Sequence, residues 1–211
     1  MYVDPWPASL QSGEEVIYRR VTHVRPEPEP VSPNDRLPQS VLDLPHTTTV
    51  YATFGTVFAD AGVLRTVIHA VQDLDVNLVV TTGHGVDPNS LGSLPEHVVA
   101  VPFLPQSLLP PRCSAVVSHA GSGTVLGALA QRLPQVCVPV GADQFVNAER
   151  IARHGAGIVL PPDARTPQAV RAALLSVLQD PSFASAATRL QSEVERMPPA
   201  DVLLSTLLAG K

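Results

Sequence analysis

The chain has 211 residues, 45% of them apolar, and a formal net charge of −5. It is long enough for one domain with a proper core plus an appended segment, its apolar share is ordinary for a soluble globular protein, and its acidic balance argues against a nucleic-acid backbone or an anionic membrane as the main partner. No apolar run approaches the roughly 20 residues that span a bilayer, so stable membrane insertion is not expected, and the start of the chain lacks the basic residues and apolar centre of a secretory leader.

Eight of the 22 prolines fall within residues 1–46. The stretch VRPEPEPVSPNDRLP (24–38) is extended and non-helical, because proline removes a donor and biases its predecessor away from helix. It reads either as an interdomain linker or as a long surface loop. At residue 47 the pattern changes. TTTVYATFG (47–55), β-branched and closed by glycine, predicts a buried strand. ADAGVLRTVIHAVQDL (59–74) places Val63, Leu64, Val67, Ile68 and Val71 at the spacing of an amphipathic helix. Further strands are predicted at VNLVVTTG (76–83), within HVVAVPFLP (97–105) and at CSAVVSH (113–119). GTVLGALAQRL (123–133) predicts a helix of small residues, QVCVPV (135–140) a strand, and ADQFVNAERIARHG (142–155) a helix capped by Gly155. AGIVL (156–160) is a last short strand. TPQAVRAALLSVLQD (166–180) offers Thr166 as an N-cap and Pro167 at the first helical position. The remainder reads as two helices broken at Pro198-Pro199. Two cysteines, Cys113 and Cys137, make neither a disulfide framework nor a metal site; they are expected as reduced thiols of a cytoplasmic protein.

Apolar strands alternating with helices predict a parallel sheet covered on both faces. The fold class is α/β, a doubly wound Rossmann-like domain over 47–195, after a proline-rich segment (1–46) and before a C-terminal helix (196–211). Ligands of such sheets bind beyond the carboxyl ends of the strands. Gly55, Gly83, His119 and Gly141 all follow strands, so they share one rim. HAGSGT (119–124) is a glycine turn running into a helix start, where free amides and the positive end of the helix dipole suit a phosphate or diphosphate. Ser122 and Thr124 add hydroxyls and His119 a ring donor; the plainer reading is that the glycines let helix and strand pack closely. Phe103, in the loop VPFLPQSLL (101–109), offers a platform for a base, or holds the loop down. Asp143 and Gln144 suit sugar hydroxyls; an aspartate there is also an ordinary N-cap, to which a glutamine adds nothing. Thr56, in the turn FGT, is available to phosphate or sugar. Together these residues describe a site for a nucleotide-diphosphate sugar.

Other readings are weaker. Gly121, Gly123 and Gly127 spell G-x-G-x-x-x-G with Asp143 about twenty residues on. A dinucleotide fingerprint follows the first strand of its fold, whereas three strands precede this one, so a nicotinamide cofactor is set aside. Asp73 and Asp75 form a D-x-D at a predicted helix-to-strand junction on the far end of the sheet and read as a solvated turn. His84 follows Gly83 on the functional rim, and His154 closes a helix, where a cation suits the dipole.

The run F-L-P-Q…(12)…H-A-G-S-G-T…(18)…D-Q resembles the C-terminal donor-binding signature of the family 1 glycosyltransferases, enzymes of the GT-B fold. VYATFGT looks like the opening strand and turn of that domain, and PQVCVPVGADQFVNAERIARHGAGIVL is similar to the bacterial natural-product branch. The resemblance covers about residues 37–195. It implies that Phe103 stands where the family usually has a base-stacking tryptophan and that Gln106 lies near base and ribose. It further implies that His119 contacts the diphosphate, that Gly121, Ser122, Gly123 and Thr124 cradle it, and that Thr56 faces it or the sugar. Asp143 and Gln144 would hold the sugar hydroxyls. Phenylalanine in place of tryptophan leaves open whether the base is uracil or thymine.

Family members run to about 400 residues with two Rossmann-like domains. The resemblance therefore implies a preceding acceptor-binding domain, on this or a separate chain, that carries the catalytic base; no catalytic residue is expected here. The implied reaction is an inverting transfer from a UDP- or dTDP-sugar to a hydroxyl of a small-molecule acceptor, without an essential metal or cofactor. The isolated chain is expected to bind nucleotide and transfer nothing, and the C-terminal helix to pack toward the preceding domain. The alternatives are a non-catalytic nucleotide-sugar-binding or partner-activating module, or part of a UDP-sugar epimerase or lipid-linked sugar transferase.

Overall fold

The computed structural model of the chain describes residues 2–11, 21–27, 30–55 and 60–209. At the start, β1 (Tyr2–Asp4) and β2 (Val21–His23) pair in parallel as a small sheet of their own, and a single turn, α1 (Gln39–Leu42), follows. The chain then alternates: β3 (Thr49–Thr53), α2 (Ala61–Val71), β4 (Asn77–Thr81), β5 (Val98–Val101), β6 (Ala115–Ser118), α3 (Ser122–Ala130), β7 (Gln135–Cys137), α4 (Gln144–Arg153) and β8 (Gly157–Val159). Three helices close it: α5 (Pro167–Gln179), α6 (Pro181–Glu195) and α7 (Ala200–Ala209). The six strands β3 to β8 form one parallel sheet in the order β5-β4-β3-β6-β7-β8.

The continuous apolar strands are what a sheet buried on both faces requires: β4 is buried along its whole length. Alternation assigns the faces. Val50, Ala52 and Phe54 pack with Leu64 and Val67 of α2 and with Val170 and Leu174 of α5. Tyr51 points the other way, among Val116, Leu109 and Ala128 of α3. A third cluster lies within the helical layer, where α3, α4 and α6 meet through Leu129, Ile151 and Leu190. Trp6 and Leu10 are buried in that cluster. The start of the proline-rich segment is thus packed against the domain, and the fully buried Leu10 alone contributes about 1.5–3 kcal/mol.

Expected and observed element ends differ by a few residues, mostly at frayed termini. The short strand expected within 97–105 is β5, which ends at Val101 where Pro102, unable to donate to a ladder, follows. The pairing of β1 with β2 was not anticipated. Three helices are closed at their starts by side chains. Asp60 accepts from the amides of Gly62 and Val63, Thr166 from Ala169, and Asp180 from Ser182. α3 and α4 have no such side-chain cap. Cys113 and Cys137 are free thiols, and burial pushes both up to about 12. Among the described residues no helix is long and apolar enough to cross a membrane.

Packing is tightest where β8 meets β7. A Cβ on Gly157 would lie 2.3 Å from the carbonyl oxygen of Gln135 and 2.9 Å from Cγ2 of Ile151. The first neighbour is ladder backbone and cannot swing away. Gly157→Ala is therefore expected to destabilise the fold by about 2–3 kcal/mol, read as a lower urea midpoint at unchanged slope.

Candidate functional site

β3 lies between β4 and β6, so the chain leaves β3 in one direction across the sheet and later returns on its other side. That is the switch point at which doubly wound sheets bind ligands. Thr53 pairs in register with Thr81 on one side and with Ser118 on the other, so the rim there is polar. Gly55 and His119 stand just past it.

His119 is 7% exposed. Its ring sits 6.5 Å from that of Phe54 and is hydrogen bonded to the backbone of Thr53. It occupies space left by two glycines. A Cβ on Gly55 would come within 3.1 Å of Nε2, and one on Gly121 within 2.5 Å. Burial pushes the imidazole below the usual histidine value, while the Thr53 backbone and the Asp143 charge pull it partly back. The net shift is downward, which favours the neutral ring.

From His119 the chain passes through Ala120, in the left-handed region at φ 62°, into Gly121 and the start of α3. The first amides of α3, at 122–124, precede its internal ladder and are capped by no side chain. They carry the positive end of the helix dipole. The next rim turn repeats the device: Ala142 lies at φ 54° just before α4. Such backbone is costly for alanine, about 1–2 kcal/mol.

The two turns are tied together by side chains. Oδ2 of Asp143 accepts from Oγ of Ser122 at 2.9 Å and from Nδ2 of Asn147 at 2.9 Å. Nδ2 of Asn147 also lies 3.1 Å from the carbonyl oxygen of Ala120 and 3.2 Å from Oγ of Ser122. Partial burial pushes the Asp143 carboxyl up. Donation from Asn147 and Ser122, with the His119 charge, outweighs this and holds it below the usual carboxylate range. An exposed carboxylate, ionised at any ordinary pH, therefore stands beside the uncapped start of α3.

Gln144 is buried and its role is local. Its Oε1 accepts from the amides of Val140 and Gly141 at 2.7 and 2.9 Å. A glutamine at this helix start does add something: it holds the turn that precedes α4. Asp143, conversely, does not cap its own helix.

Two cavities flank the corner. One, of about 380 Å³, lies between the start of the chain and the rim, lined by Trp6, Ser122, Asp143, Asn147 and Arg150 among others. The other, of about 270 Å³, runs along α3 between Gln106, Ser107, Gly123 and Gly127. Gln106 Oε1 lies 3.4 Å from where a Cβ on Gly127 would be. The structure thus gathers His119, Gly121, Ser122 and Asp143 at one corner, with Gln106 and Gly123 beside it. Thr124 is buried in α3. Phe103 is 54% exposed on the loop after β5 and lines neither cavity. Thr56 lies outside the described residues. His84 is exposed beyond β4, and Asp73 and Asp75 sit in an exposed turn at the opposite end of that strand. Among the described residues no three His, Cys, Asp or Glu side chains are grouped to hold a metal ion.

Residues that the sequence reading assigned no role are prominent here. Asn147 bridges both turns. Arg150 donates to Oδ1 of Asn147 at 3.4 Å and stacks 5.2 Å from the ring centre of Trp6. The spacing of four between Asp143 and Asn147, one helical turn on one face, was the available signal.

Comparison with known proteins identifies the family and the fold. A family described as "Erythromycin biosynthesis protein CIII-like, C-terminal domain" matches residues 65–208. The chain is 40% identical over 127 residues to 10-deoxymethynolide desosaminyltransferase of Streptomyces venezuelae, covering 60% of this chain and 30% of that protein. It is 32% identical over 211 residues to aclacinomycin-T 2-deoxy-L-fucose transferase of Streptomyces galilaeus, covering 95% and 46%. Among solved structures it superposes on the glycosyltransferase VinC in complex with dTDP with a TM-score of 0.80 at 30% identity, over 96% of this chain and 50% of that one. The chain thus spans half or less of the length of these relatives.

The glycine cradle generates a test of the geometry itself. Gly121→Ala is expected to cost about 2–3 kcal/mol through overpacking against His119. Gly55→Ala acts in the same direction, because its φ of 71° adds backbone strain to a contact of 3.1 Å. Removing the ring relieves the clash. Denaturation of His119→Ala/Gly121→Ala should therefore cost less than the two single changes together by about 1 kcal/mol or more.

Proposed function

The chain belongs to the family of the erythromycin biosynthesis protein CIII-like C-terminal domains, and from that premise we propose that it is the donor-binding part of an inverting glycosyltransferase. It takes a UDP- or dTDP-sugar whose sugar passes to a hydroxyl of a small natural-product acceptor. The observation that carries this reading is the uncapped start of α3, meeting His119 at the switch point beside the Asp143 carboxylate. Amides, dipole and a chargeable imidazole suit a diphosphate; a fixed carboxylate next to them suits sugar hydroxyls. Gln106 and the cavity along α3 suit the ribose and base, with Phe103 as an outlying platform.

In the reaction the acceptor oxygen attacks the anomeric carbon as the bond to the diphosphate oxygen breaks. Charge develops on the leaving oxygens, where the α3 amides and His119 stabilise it. The base that removes the acceptor proton belongs to a separate acceptor-binding domain. Residues 47–195 serve as the donor domain and residues 196–211 pack toward the acceptor half, a role suited to Val202, Leu204 and Leu208, which α7 leaves exposed. The chain alone binds nucleotide and transfers nothing.

A thermal-shift titration with UDP, dTDP, GDP and NAD, with and without a chelator, tests the reading. At about 100 times the dissociation constant a true ligand stabilises the fold by roughly 2.7 kcal/mol. UDP or dTDP is expected to shift the transition whether or not chelator is present. Silence from all four nucleotides overturns the donor-site reading, and sugar transfer by the chain alone overturns its inactivity.

A proton-linkage prediction follows from His119. Burial depresses its pKa in the free chain, and a bound diphosphate raises it, so binding takes up a proton. Affinity should therefore rise as pH falls from about 8 toward the ordinary histidine value near 6.5. Calorimetry in two buffers of different ionisation enthalpy should show uptake by the wild type beyond that seen with His119→Gln. Equal uptake by both would remove His119 from the phosphate site.

A further inference from the structure

We infer that Asn147 and Arg150, held in place by Trp6, are positioning residues that set the Asp143 carboxylate for the sugar of the donor. The inference rests on the reading of Asp143 as the sugar-binding group and adds the machinery that aims it.

Asn147 is 2% exposed. Its Nδ2 faces three acceptors at once: the Ala120 carbonyl, Ser122 Oγ and Asp143 Oδ2, at 3.1, 3.2 and 2.9 Å. One amide group therefore braces both rim turns, each of which passes through a left-handed alanine. An amide can do this only if its own orientation is fixed, because rotating it by half a turn would present Oδ1 to three acceptors. Arg150 supplies the fix. Its Nη1 donates to Oδ1 of Asn147 at 3.4 Å, which leaves Nδ2 for the acceptors. Arg150 is itself buried, 8% exposed, with its guanidinium 5.2 Å from the centre of the Trp6 ring. Trp6 donates its backbone N–H to Oδ1 of Asp4 at 3.0 Å, and Asp4 also accepts from Gln11. A planar cation lying over a ring on one face and donating from its edge to Asn147 is restricted in how it can turn.

Trp6, Arg150, Asn147 and Asp143 all line the cavity of about 380 Å³, and each is in contact with the next in that order. The segment from residue 2 to 11 thereby takes part in shaping the sugar end of the site while lying apart from the diphosphate turn. Loosening the relay should alter recognition of the sugar and spare that of the nucleotide. A residue that merely stabilised the fold would weaken both together.

The test compares dTDP with dTDP-glucose, and UDP with UDP-glucose, by calorimetry on this chain. Arg150→Met keeps an unbranched apolar stem beside Trp6 and removes the donation. It is expected to weaken sugar-nucleotide binding by about 5- to 10-fold, the worth of one hydrogen bond, with the bare nucleotide changed by less than about 2-fold. Arg150→Lys, which retains the charge, should recover part of the loss. Trp6→Phe, which retains an aromatic ring, should fall between wild type and Arg150→Met and guards against a result that reflects misfolding. Equal losses for nucleotide and sugar nucleotide, or no loss for either, overturn the relay. Asp143→Asn separates the two levels: if it leaves all four ligands unchanged, or if wild type binds none of them, the sugar-site reading itself fails and the relay with it.

Discussion

The rim is organised by an imidazole ring lodged where the sheet reverses direction. His119 fills the crevice between the ends of β3 and β6, and it does so by standing in the Cβ positions of Gly55 and Gly121. A ring so placed forces several other choices. The turn after β3 and the turn after β6 must both lack side chains at those points. The chain after His119 must bend sharply to start α3, which it does through a left-handed Ala120 whose methyl is wholly buried in the helical layer. The ring is then desolvated, which favours its neutral form. Packing, backbone geometry and charge are thus consequences of a single placement.

The helical layer on one face keeps that placement rigid. α3 and α4 are held by α6 below and by Trp6 and Leu10 of the initial segment beside them. Interiors packed to crystal density do not deform smoothly, so the starts of α3 and α4 have little freedom relative to one another. The polar groups at those starts use this rigidity. Ser122, Asp143 and Asn147 come from two different turns, and their mutual distances of 2.9 to 3.2 Å depend on both helices holding station. Neighbouring donors keep the carboxylate ionised, which preserves it as an acceptor next to a turn that offers only donors.

Much of the architecture was legible in the sequence because parallel strands buried on both faces leave uninterrupted apolar runs. VNLVV and SAVVS cannot be read as half-exposed strands. The shared rim followed from the rule that glycines after parallel strands gather at one edge. What stayed hidden depended on direction or distance. A helix period says that Gln144 sits at the start of α4, but not that its side chain turns inward to hold the amides of Val140 and Gly141. The pairing of residues 2–4 with 21–23 is a contact between two short stretches of unremarkable composition. Trp6 lies between two prolines in DPWPASL, a setting that reads as extended chain and gives no hint of a buried ring. Its partner Arg150 lies 144 positions away, and no local pattern connects them. Asp143 and Asn147 were within reach of pattern reading, since four residues on a helix share a face, but the partner turn carrying Ser122 was not.

The way this chain closes its helices sets the starts of α3 and α4 apart from those of α2, α5 and α6. Three other helices are capped by side chains: Asp60, Thr166 and Asp180 each satisfy amides at the starts of α2, α5 and α6, whereas the single turn α1, which follows Pro38, is not. A cap of this kind is worth about 1 kcal/mol. At α3 the capping position is Gly121, where a side chain would strike His119. At α4 it is Asp143, a residue well suited to capping, yet its carboxylate reaches across to Ser122 and Asn147. Stability has been forgone at both helix starts. At one the open amides are left facing the ring of a neutral histidine, and at the other a carboxylate that could have capped stands exposed at the mouth of a cavity. Fixed dipoles that need not reorganise when charge arrives stabilise it better than mobile water does. Open amides, a desolvated imidazole and a diverted carboxylate are fixed groups of that kind, gathered at one corner because His119 is packed against two glycines and Asp143 is tied to the neighbouring turn.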